Sequence, residues 1–342
     1  MINKIYNHFI LIDKCAEETR IVEILEKKIV KFISWYDGNP PIIGDIYEAF
    51  IIKKLNGGVA RARLKDNSII TVRGVYQSFK EGSLIKVIIM SDKLDDKPVQ
   101  AKLLNETIDL QKTIETMNTV DKIIYFYFTK DLPRINDSHA IYWDILDLDR
   151  CYYNALNPNI KVNGGGMIWI EKTKAATLID IDTEKLILNT PKQLYDFCML
   201  AFKQCLAEIK LRNIGGMILI DFPRMSLPKR KVFHEEIISA GKATFNDGDF
   251  LGFSRLLLYE IYIPRHIGLL EDFYKDNNDF IFQNHLRSLW RKSKEIKSKN
   301  NIQFICGKNL FKKIKKKKTP EFISILERND LPSNYGELID LG

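Results

Sequence analysis

The stretch ATLIDID (176–182) is an apolar run that ends on two aspartates, and MILID (217–221) repeats the pattern with one. Between them, Thr190 is a predicted helix N-cap with Pro191 at the first helical position, and apolar residues recur on one face of the helix. The order strand, helix, strand predicts a crossover unit, which places the two strands parallel and adjacent in one sheet. These residues therefore predict an α/β core.

The acidic ends of these two strands are the first candidate for a functional site. Asp180 and Asp221 fall at the carboxyl ends of the strands, where open α/β sheets bind ligands, and Asp182 shares a strand face with Asp180. Three converging carboxylates repel each other unless they are protonated or neutralised, and Mg²⁺ is the usual ion for one or two carboxylates plus water. The alternative is that each aspartate only ends a buried strand. The spacing leaves both interpretations open.

The composition indicates a globular protein with a basic surface. The 342 residues are 45% hydrophobic and 28% charged, and the formal net charge is +8. Positive charge favours an anionic partner such as RNA, although a coding bias toward lysine would give the same balance. No apolar run approaches the roughly 18–20 residues that span a bilayer, and the N-terminus is unlike a signal peptide. We expect a cytoplasmic protein without membrane contact.

Cysteine and histidine patterns exclude several classes of site. Five cysteines form no CxxC pair, which argues against a disulfide framework and a thiolate zinc site. The histidines lack metal-like spacing, and there is no Ser/His/Asp arrangement or phosphate-binding glycine loop. We therefore expect no zinc.

Short strands are predicted throughout the first hundred residues. HFILID (8–13) and the residues after it are rich in β-branched side chains, which predicts β-hairpins over residues 1–40. DGNPP (37–41) is a cluster of breaking residues and marks a boundary. Five short runs with Gly and Asn turns occupy residues 41–104 and predict a five-stranded β-barrel, with the OB-fold as the candidate.

The rest of the chain alternates strands and helices. Residues 105–121 are polar and predict a connector, KIIYFYF (122–128) predicts a strand, and residues 139–156 predict a helix. The crossover unit lies in a region that extends over 122–290. Residues 291–342 are basic and predict a helical tail.

Five motifs together resemble the ribonuclease E/G family, in the family's order. They are FILIDKCAEETRIVEILEKKIVKF (9–32), GDIYEAFIIKKLNGGVARARL (44–64), GGGMIWIEKTKAATLIDID (164–182), LAEIKLRNIGGMILIDFPRM (206–225) and GFSRLLLYEIYIPR (252–265). Members of the family are endoribonucleases that cut single-stranded RNA with a magnesium ion. The resemblance implies a mixed α+β and α/β fold, with an RNase H-like and DNase I-like catalytic region and an inserted OB-fold module that binds RNA.

The resemblance also implies roles for individual residues. Asp180 and Asp221 match the two aspartates that hold the family's single magnesium ion, which would activate water for attack on a phosphodiester. Asp182 stands where the family usually has Asn and would be a third catalytic residue, and Glu260 matches a family glutamate. Arg255 matches a basic position near the bound RNA, and Lys229 and Arg230 correspond to a basic stretch after the second aspartate, although a solvated helix start would give the same pair. The barrel cations Arg61, Arg63 and Arg73 are not matched to family positions and would compensate in part for aromatic residues that the barrel lacks.

The chain departs from the family in several places. Only residues 105–121 stand where the family has a phosphate-sensing insertion. The barrel stretch RARLKDNSIITVRG (61–74) has no Phe or Tyr, which predicts weak or mainly electrostatic RNA binding. The family's CPxC zinc link is absent, so we expect no zinc-linked tetramer, while a homodimer remains open. Arg224 replaces a common family acid beside the second aspartate.

The C-terminus carries a second, weaker resemblance. The FICGK motif around Cys306 and the terminal LPSNYGELIDLG (331–342) resemble the small zinc-binding YacG proteins. Of that family's four zinc cysteines, only Cys306 has a counterpart, and Gln303, Pro332 and Gly336 occupy the other positions. One thiolate cannot close a structural zinc site, so we expect a module that has lost its metal.

The leading hypothesis is a magnesium-dependent endoribonuclease that acts on single-stranded RNA. Two alternatives stay open. One is a paralogue that binds RNA but cuts it poorly or not at all. The other is an α/β scaffold that makes protein contacts.

Overall fold

The computed structural model describes residues 6–15, 17–36, 43–91, 98–104, 114, 116–137, 141–274, 277–295, 302–317, 319 and 323–340. Within these residues the chain forms four-stranded, six-stranded and three-stranded sheets and a closed five-stranded barrel. No helix in the described ranges has the length and apolar character needed to cross a membrane. The breaker cluster 37–41 and most of the connector 105–121 lie outside them.

The N-terminal strands pair as antiparallel hairpins, as predicted. Alternate residues face two separate cores: Phe9 and Leu11 pack with Trp143, whereas Ile10 packs with Ile124. Because both faces are covered, the middle strand is buried along almost its whole length. The strands are β1 (His8–Cys15), β2 (Glu18–Leu25) and β3 (Lys28–Tyr36).

A closed barrel follows and confirms the prediction of a five-stranded, OB-fold-like module. Its third and fifth strands pair in parallel, and its other pairs are antiparallel. Small inward residues such as Ala49, Ala60 and Ala62 are fully buried, which lets the narrow barrel close. The strands are β4 (Ile46–Leu55), β5 (Val59–Leu64), β6 (Ile69–Arg73), β7 (Leu84–Ser91) and β8 (Val99–Leu103).

The prediction of a strand at 122–128 is wrong. Residues 122–127 belong to helix α1 (Thr119–Tyr127), and Phe128 is the C-cap of that helix. Asn118 caps the helix by accepting a hydrogen bond from a first-turn backbone N–H at 2.9 Å. Ile123 and Ile124 are buried against the N-terminal sheet. A short apolar run fits a strand and a buried helix equally well, so the composition of the run does not distinguish the two.

The next segment contains one more strand and two short helices. Strand β9 (Arg134–Asn136) pairs with β1 in parallel and completes the sheet order β3-β2-β1-β9. The single helix predicted over 139–156 is two, α2 (Ile141–Ile145) and α3 (Leu148–Ala155). Asp147 separates them because its φ of 49° lies in the left-handed region.

The crossover unit is present as predicted, in a sheet of order β10-β11-β12-β13-β15-β14. Thr190 and Gln193 form a capping box at the start of the crossover helix, and Pro191 is its first residue. The elements are β10 (Asn159–Lys161), β11 (Met167–Lys172), β12 (Ala176–Asp182), α4 (Pro191–Leu211), β13 (Gly216–Asp221), α5 (Leu227–Thr244), β14 (Asp249–Phe253) and β15 (Tyr259–Ile263).

Both helices of this region pack on one face of the six-stranded sheet. Isoleucines of the four central strands, among them Ile179 and Ile220, join residues of α4 and α5 in one core. Because side chains alternate along a strand, the other face, here called the open face, presents the residues between them. Its exposed large side chains include Trp169, Leu178, Met217 and Tyr262.

The C-terminal segment differs from the predicted helical tail. Apolar residues of β16, including Phe304 and Cys306, are buried in a small core of their own with α6 and α7. Burial raises the pKa of the Cys306 thiol to about 11. The elements are a 3₁₀ turn (Leu270–Phe273), α6 (Asn277–Glu295), β16 (Ile302–Cys306), α7 (Lys308–Ile314), β17 (Ile323–Glu327) and β18 (Gly336–Asp340). The likeness to a zinc module stays a prediction.

A buried ionic network joins α6 to the N-terminal sheet. Arg287 of α6 pairs with Asp13 and, at 3.1 Å, with Glu18. Arg20 also pairs with Glu18, at 3.0 Å, and the hydroxyl of Tyr274 donates a hydrogen bond to the Glu18 carboxylate. Burial alone would raise the pKa of Glu18, but Arg20 and Arg287 lower it to about 2. The network therefore holds the Glu18 carboxylate ionised.

Candidate active site

Asp180 and Asp221 lie directly opposite each other at the ends of the parallel strands β12 and β13. Ile179 and Ile181 are buried toward the helices, so Asp180 and Asp182 point from the open face, and all three aspartates are exposed. The structure thus brings Asp180 and Asp221 together through the crossover. Both side chains lie on the open face of the sheet, close to the carboxyl ends of their strands.

The negative charges of the two aspartates are not balanced by a neighbouring cation among the described residues. Partial burial raises the pKa of Asp180, and the charges of Asp221 and Asp182 raise it further. No ion pair engages any of these three carboxylates within the part of the chain that the structure describes. Ionised together, they favour a bound cation.

Asp182 differs from the other two because its carboxylate is already in use. It accepts a hydrogen bond of 2.7 Å from the backbone N–H of Glu184, in a turn where Glu184 has a left-handed φ of 48°. In the described ranges, no group of three or more His, Cys, Asp or Glu side chains is arranged to hold a metal. Asp180 and Asp221 are therefore the candidate donors that the structure places side by side, and proteins commonly bind Mg²⁺ through one or two carboxylates and several waters.

One of the three predicted cations of this region lines a small pocket that includes Asp221. Arg230, on the first turn of α5, lines the pocket, whereas Lys229 does not. Arg255 lies in the turn between β14 and β15, next to two leucines that also line it. The pocket has a volume of about 120 Å³ and is lined by Asp221, Phe222, Pro223, Arg224, Met225, Arg230, Phe253, Leu256 and Leu257.

An aromatic cluster fixes the loop that follows Asp221. Phe222 is buried, and its ring contacts Phe233 edge-on at 5.0 Å between centroids and lies 6.3 Å from Phe253 and Tyr259. Such contacts add to the burial energy of each ring. Asp221 is therefore attached to a well-packed part of the core, although its own side chain is exposed.

The barrel presents its three predicted cations on the outside. Arg61, Arg63 and Arg73 are exposed and alternate with buried residues along β5 and β6. Together with the three cations of the catalytic region, they make no ion pair among the described residues. Their charges therefore remain available to an anionic partner.

Two aromatic residues near these sites escaped the sequence analysis. Phe50, 43% exposed on β4, pairs in register with Arg63, so the barrel does offer a stacking ring next to a cation. Trp169, 39% exposed on β11, pairs in register with Asp180. Alternation within each strand predicts which residues share a face, but only the strand register identifies these neighbours.

Comparisons with known proteins agree with this architecture. A family model described as the ribonuclease E/G family matches residues 79–262, which include both candidate aspartates. Ribonuclease G of Salmonella typhimurium (strain SL1344) is 26% identical over 195 residues, which are 54% of this chain and 37% of that protein. A ribonuclease E/G-like protein of Guillardia theta is 31% identical over 125 residues, 34% of this chain and 25% of that protein. The chain thus spans well under half the length of these relatives.

Proposed function

The chain belongs to the ribonuclease E/G family, and we propose that it is a magnesium-dependent endoribonuclease that cuts single-stranded RNA. The observation that carries the proposal is the parallel register of Asp180 and Asp221, two exposed carboxylates without a cationic partner in the described residues. Carboxylates held side by side, with the pKa of one of them raised, are favourable ligands for a divalent ion.

Asp180 and Asp221 would hold the ion, which when bound supplies a Lewis acid and lowers the pKa of a coordinated water. Asp182, tied to its own turn, would position the end of β12 rather than add a third ligand. Arg230 and Arg255 would bind phosphates on either side of the reacting one, because neither is engaged in an ion pair among the described residues. These groups position the RNA and compensate its charge.

The barrel would extend the RNA contact. Arg61, Arg63 and Arg73 would bind the backbone of a single strand, while Phe50 stacks on a base beside Arg63. This arrangement supports stronger binding than the electrostatic contact predicted from residues 61–74 alone.

We also propose a correspondence between the architecture and the expected family regions. The sheet β3-β2-β1-β9, with its last strand parallel to β1, supports an RNase H-like part, and the six-stranded sheet supports a DNase I-like part. The proposed modules are residues 1–40 and 122–290 for the catalytic region and 41–104 for the barrel. Residues 105–121 connect them, and 291–342 form a C-terminal module.

A catalytically weakened RNA-binding paralogue is the second candidate. The observation that favours it is the pocket beside Asp221, where Arg224 lines the wall. A guanidinium there can pair with the carboxylate and compete with a metal ion. The same cations would still bind RNA.

A cleavage assay separates these candidates. Purified full-length protein is incubated with an end-labelled, AU-rich single strand in MgCl₂ or in EDTA, alongside Asp221→Asn and the control Asp249→Asn, an exposed acid of the same sheet. We expect cleavage only with magnesium, and a loss of about a hundredfold or more in Asp221→Asn but not in the control. Cleavage that survives both EDTA and Asp221→Asn contradicts the proposal, and RNA binding without cleavage in every sample supports the paralogue.

A further inference from the structure

Four residues form a continuous row across the open face of the six-stranded sheet. Asn159 pairs with Trp169, Trp169 with Asp180, and Asp180 with Asp221, each on the neighbouring strand. Because neighbouring strands lie about 4.7–4.9 Å apart, the indole stands next to the first candidate metal ligand. It is two strands away from the second.

Trp169 has no evident structural task. Among the residues that the structure describes, its ring makes no aromatic or cation–π contact, and its Nε1–H donates no hydrogen bond. Trp143 provides the contrast, since it is 1% exposed and donates to Asp149 at 2.9 Å. A large aromatic side chain left exposed in this way is typical of a binding residue rather than a core residue.

The charge of the neighbourhood limits what Trp169 can bind. A cationic side chain at this position would pair with Asp180 and neutralise the carboxylates. A phosphate in the position over Trp169, where no metal ion is expected, would be repelled by Asp180. A neutral aromatic face avoids both effects, because it holds a ligand by stacking and leaves the acidic charge intact. Every nucleobase has a π-face that can stack in this way, whatever its sequence.

We propose that Trp169 is a stacking platform for an unpaired nucleobase of single-stranded RNA, adjacent to the phosphodiester at Asp180 and Asp221. The placement of that phosphodiester rests on the proposed function, but the stacking does not require cleavage. Arg230 lines the pocket at the Asp221 end of the row, and Arg255 directly precedes two leucines of that pocket. Neither arginine makes an ion pair among the described residues, so both give the occupant a complementary backbone contact. The strand would therefore cross the open face from the indole toward these arginines.

The test is a binding measurement in EDTA, which keeps the RNA intact. A 5′-labelled AU-rich single strand is titrated with the full chain by fluorescence anisotropy, while tryptophan emission is followed with unlabelled RNA. For wild type we expect binding with quenched emission. Trp169→Phe should keep the affinity and lose most of the quenching, and Trp169→Ala should weaken binding about tenfold. The salt dependence of RNA binding by Trp169→Ala should equal that of wild type, since no phosphate contact is lost.

Tyr262→Ala is the matched control, because Tyr262 is an exposed aromatic residue of the same face, on β15. It should leave affinity and quenching unchanged, and thermal melting verifies that each variant is folded. The proposal is overturned by wild type that does not bind RNA, by Trp169→Ala that binds normally, or by equal losses in Tyr262→Ala. A change in sedimentation of Trp169→Ala with unchanged RNA affinity would instead make this face a contact between copies of the chain.

The two proposals fail separately. Trp169-dependent binding without magnesium-dependent cleavage leaves the platform standing and removes the ribonuclease. If Trp169→Ala cleaves and binds RNA as wild type does, the ribonuclease proposal stands and the stacking platform is removed.

Discussion

The protein holds two groups of strand carboxylates in opposite ways. On the N-terminal sheet, Asp13 and Glu18 are buried, and Arg287 pairs with both. On the six-stranded sheet, Asp180 and Asp221 are exposed, and no cation of the described residues pairs with them. The pKa of Glu18 is lowered to about 2, whereas that of Asp180 is raised. The first group is neutralised by the protein itself, while the second has charge left for a ligand.

This contrast separates a structural from a functional role for the same residue type. Buried acids that lose a partner are left charged in a medium of low dielectric, so they stabilise the fold only as part of a pair. Exposed acids contribute little to stability and can be arranged for chemistry. Variants of the two groups should therefore change different properties.

The largest stability change should come from Arg287→Met. The substitution leaves the carboxylates of Asp13 and Glu18 buried with one partner fewer, and we expect a loss of about 3–5 kcal/mol in the free energy of unfolding. Urea denaturation measures it. The control is Arg255→Met, which removes an arginine without an ion pair in the described residues and should change stability by less than about 0.5 kcal/mol. Equal losses would mean that the network does not stabilise the fold.

The second largest change should be a loss of stability at low pH, caused by protonation of Glu18. The pKa of Glu18 is lowered from 4.5 to about 2 in the folded chain, so its contribution is complete above pH 4.5 and is lost as the pH falls toward 2. At about 1.4 kcal/mol per pKa unit, the contribution is about 3 kcal/mol. Urea denaturation at several values of pH should show it in wild type, and Glu18→Gln should flatten this part of the curve. An unchanged slope in Glu18→Gln would contradict the assignment.

The exposed group should respond with the opposite sign and a smaller magnitude. The pKa of Asp180 is raised, so its ionised form is disfavoured in the folded state, and protonation on lowering the pH relieves the repulsion. Asp180→Asn should therefore leave stability unchanged or raise it by a few tenths of a kcal/mol, since the group is exposed. Thermal melting at pH 7 measures this. A clear loss of stability would place Asp180 with the structural acids.

The smallest change should be a shift in the pH dependence of cleavage. Asp182 contributes to the raised pKa of Asp180, so Asp182→Asn should lower that pKa and extend cleavage to more acidic pH. Initial rates between pH 5 and 8 with saturating RNA would reveal the shift. If the rate falls at the same acidic pH in Asp182→Asn as in wild type, the charges of Asp180 and Asp182 are not coupled in the active form.

Local patterns predicted much of this fold and part of the candidate site. The apolar runs 176–182 and 217–221, with a capped helix between them, were sufficient to predict the crossover and the pairing of Asp180 with Asp221. The barrel followed from short runs separated by turn residues. In each case the signal lies within a few neighbouring residues and needs no long-range information.

The rest depends on contacts between distant parts of the chain. Arg287 and Asp13 are far apart in sequence, so nothing local indicates that they pair. Trp169 is an ordinary strand residue until the register with β12 places it beside Asp180. The run 122–128 carries a strand-like composition and becomes helical because the N-terminal sheet offers an apolar surface to one of its faces.

The most direct test of the contrast is titration calorimetry with MgCl₂ at pH 7.5, without RNA. Wild type should bind one ion, and Asp180→Asn/Asp221→Asn should bind none, while Asp13→Asn, where it folds, should bind as wild type does. Magnesium binding that is the same in the double variant and in wild type, or absent from wild type, would contradict the account.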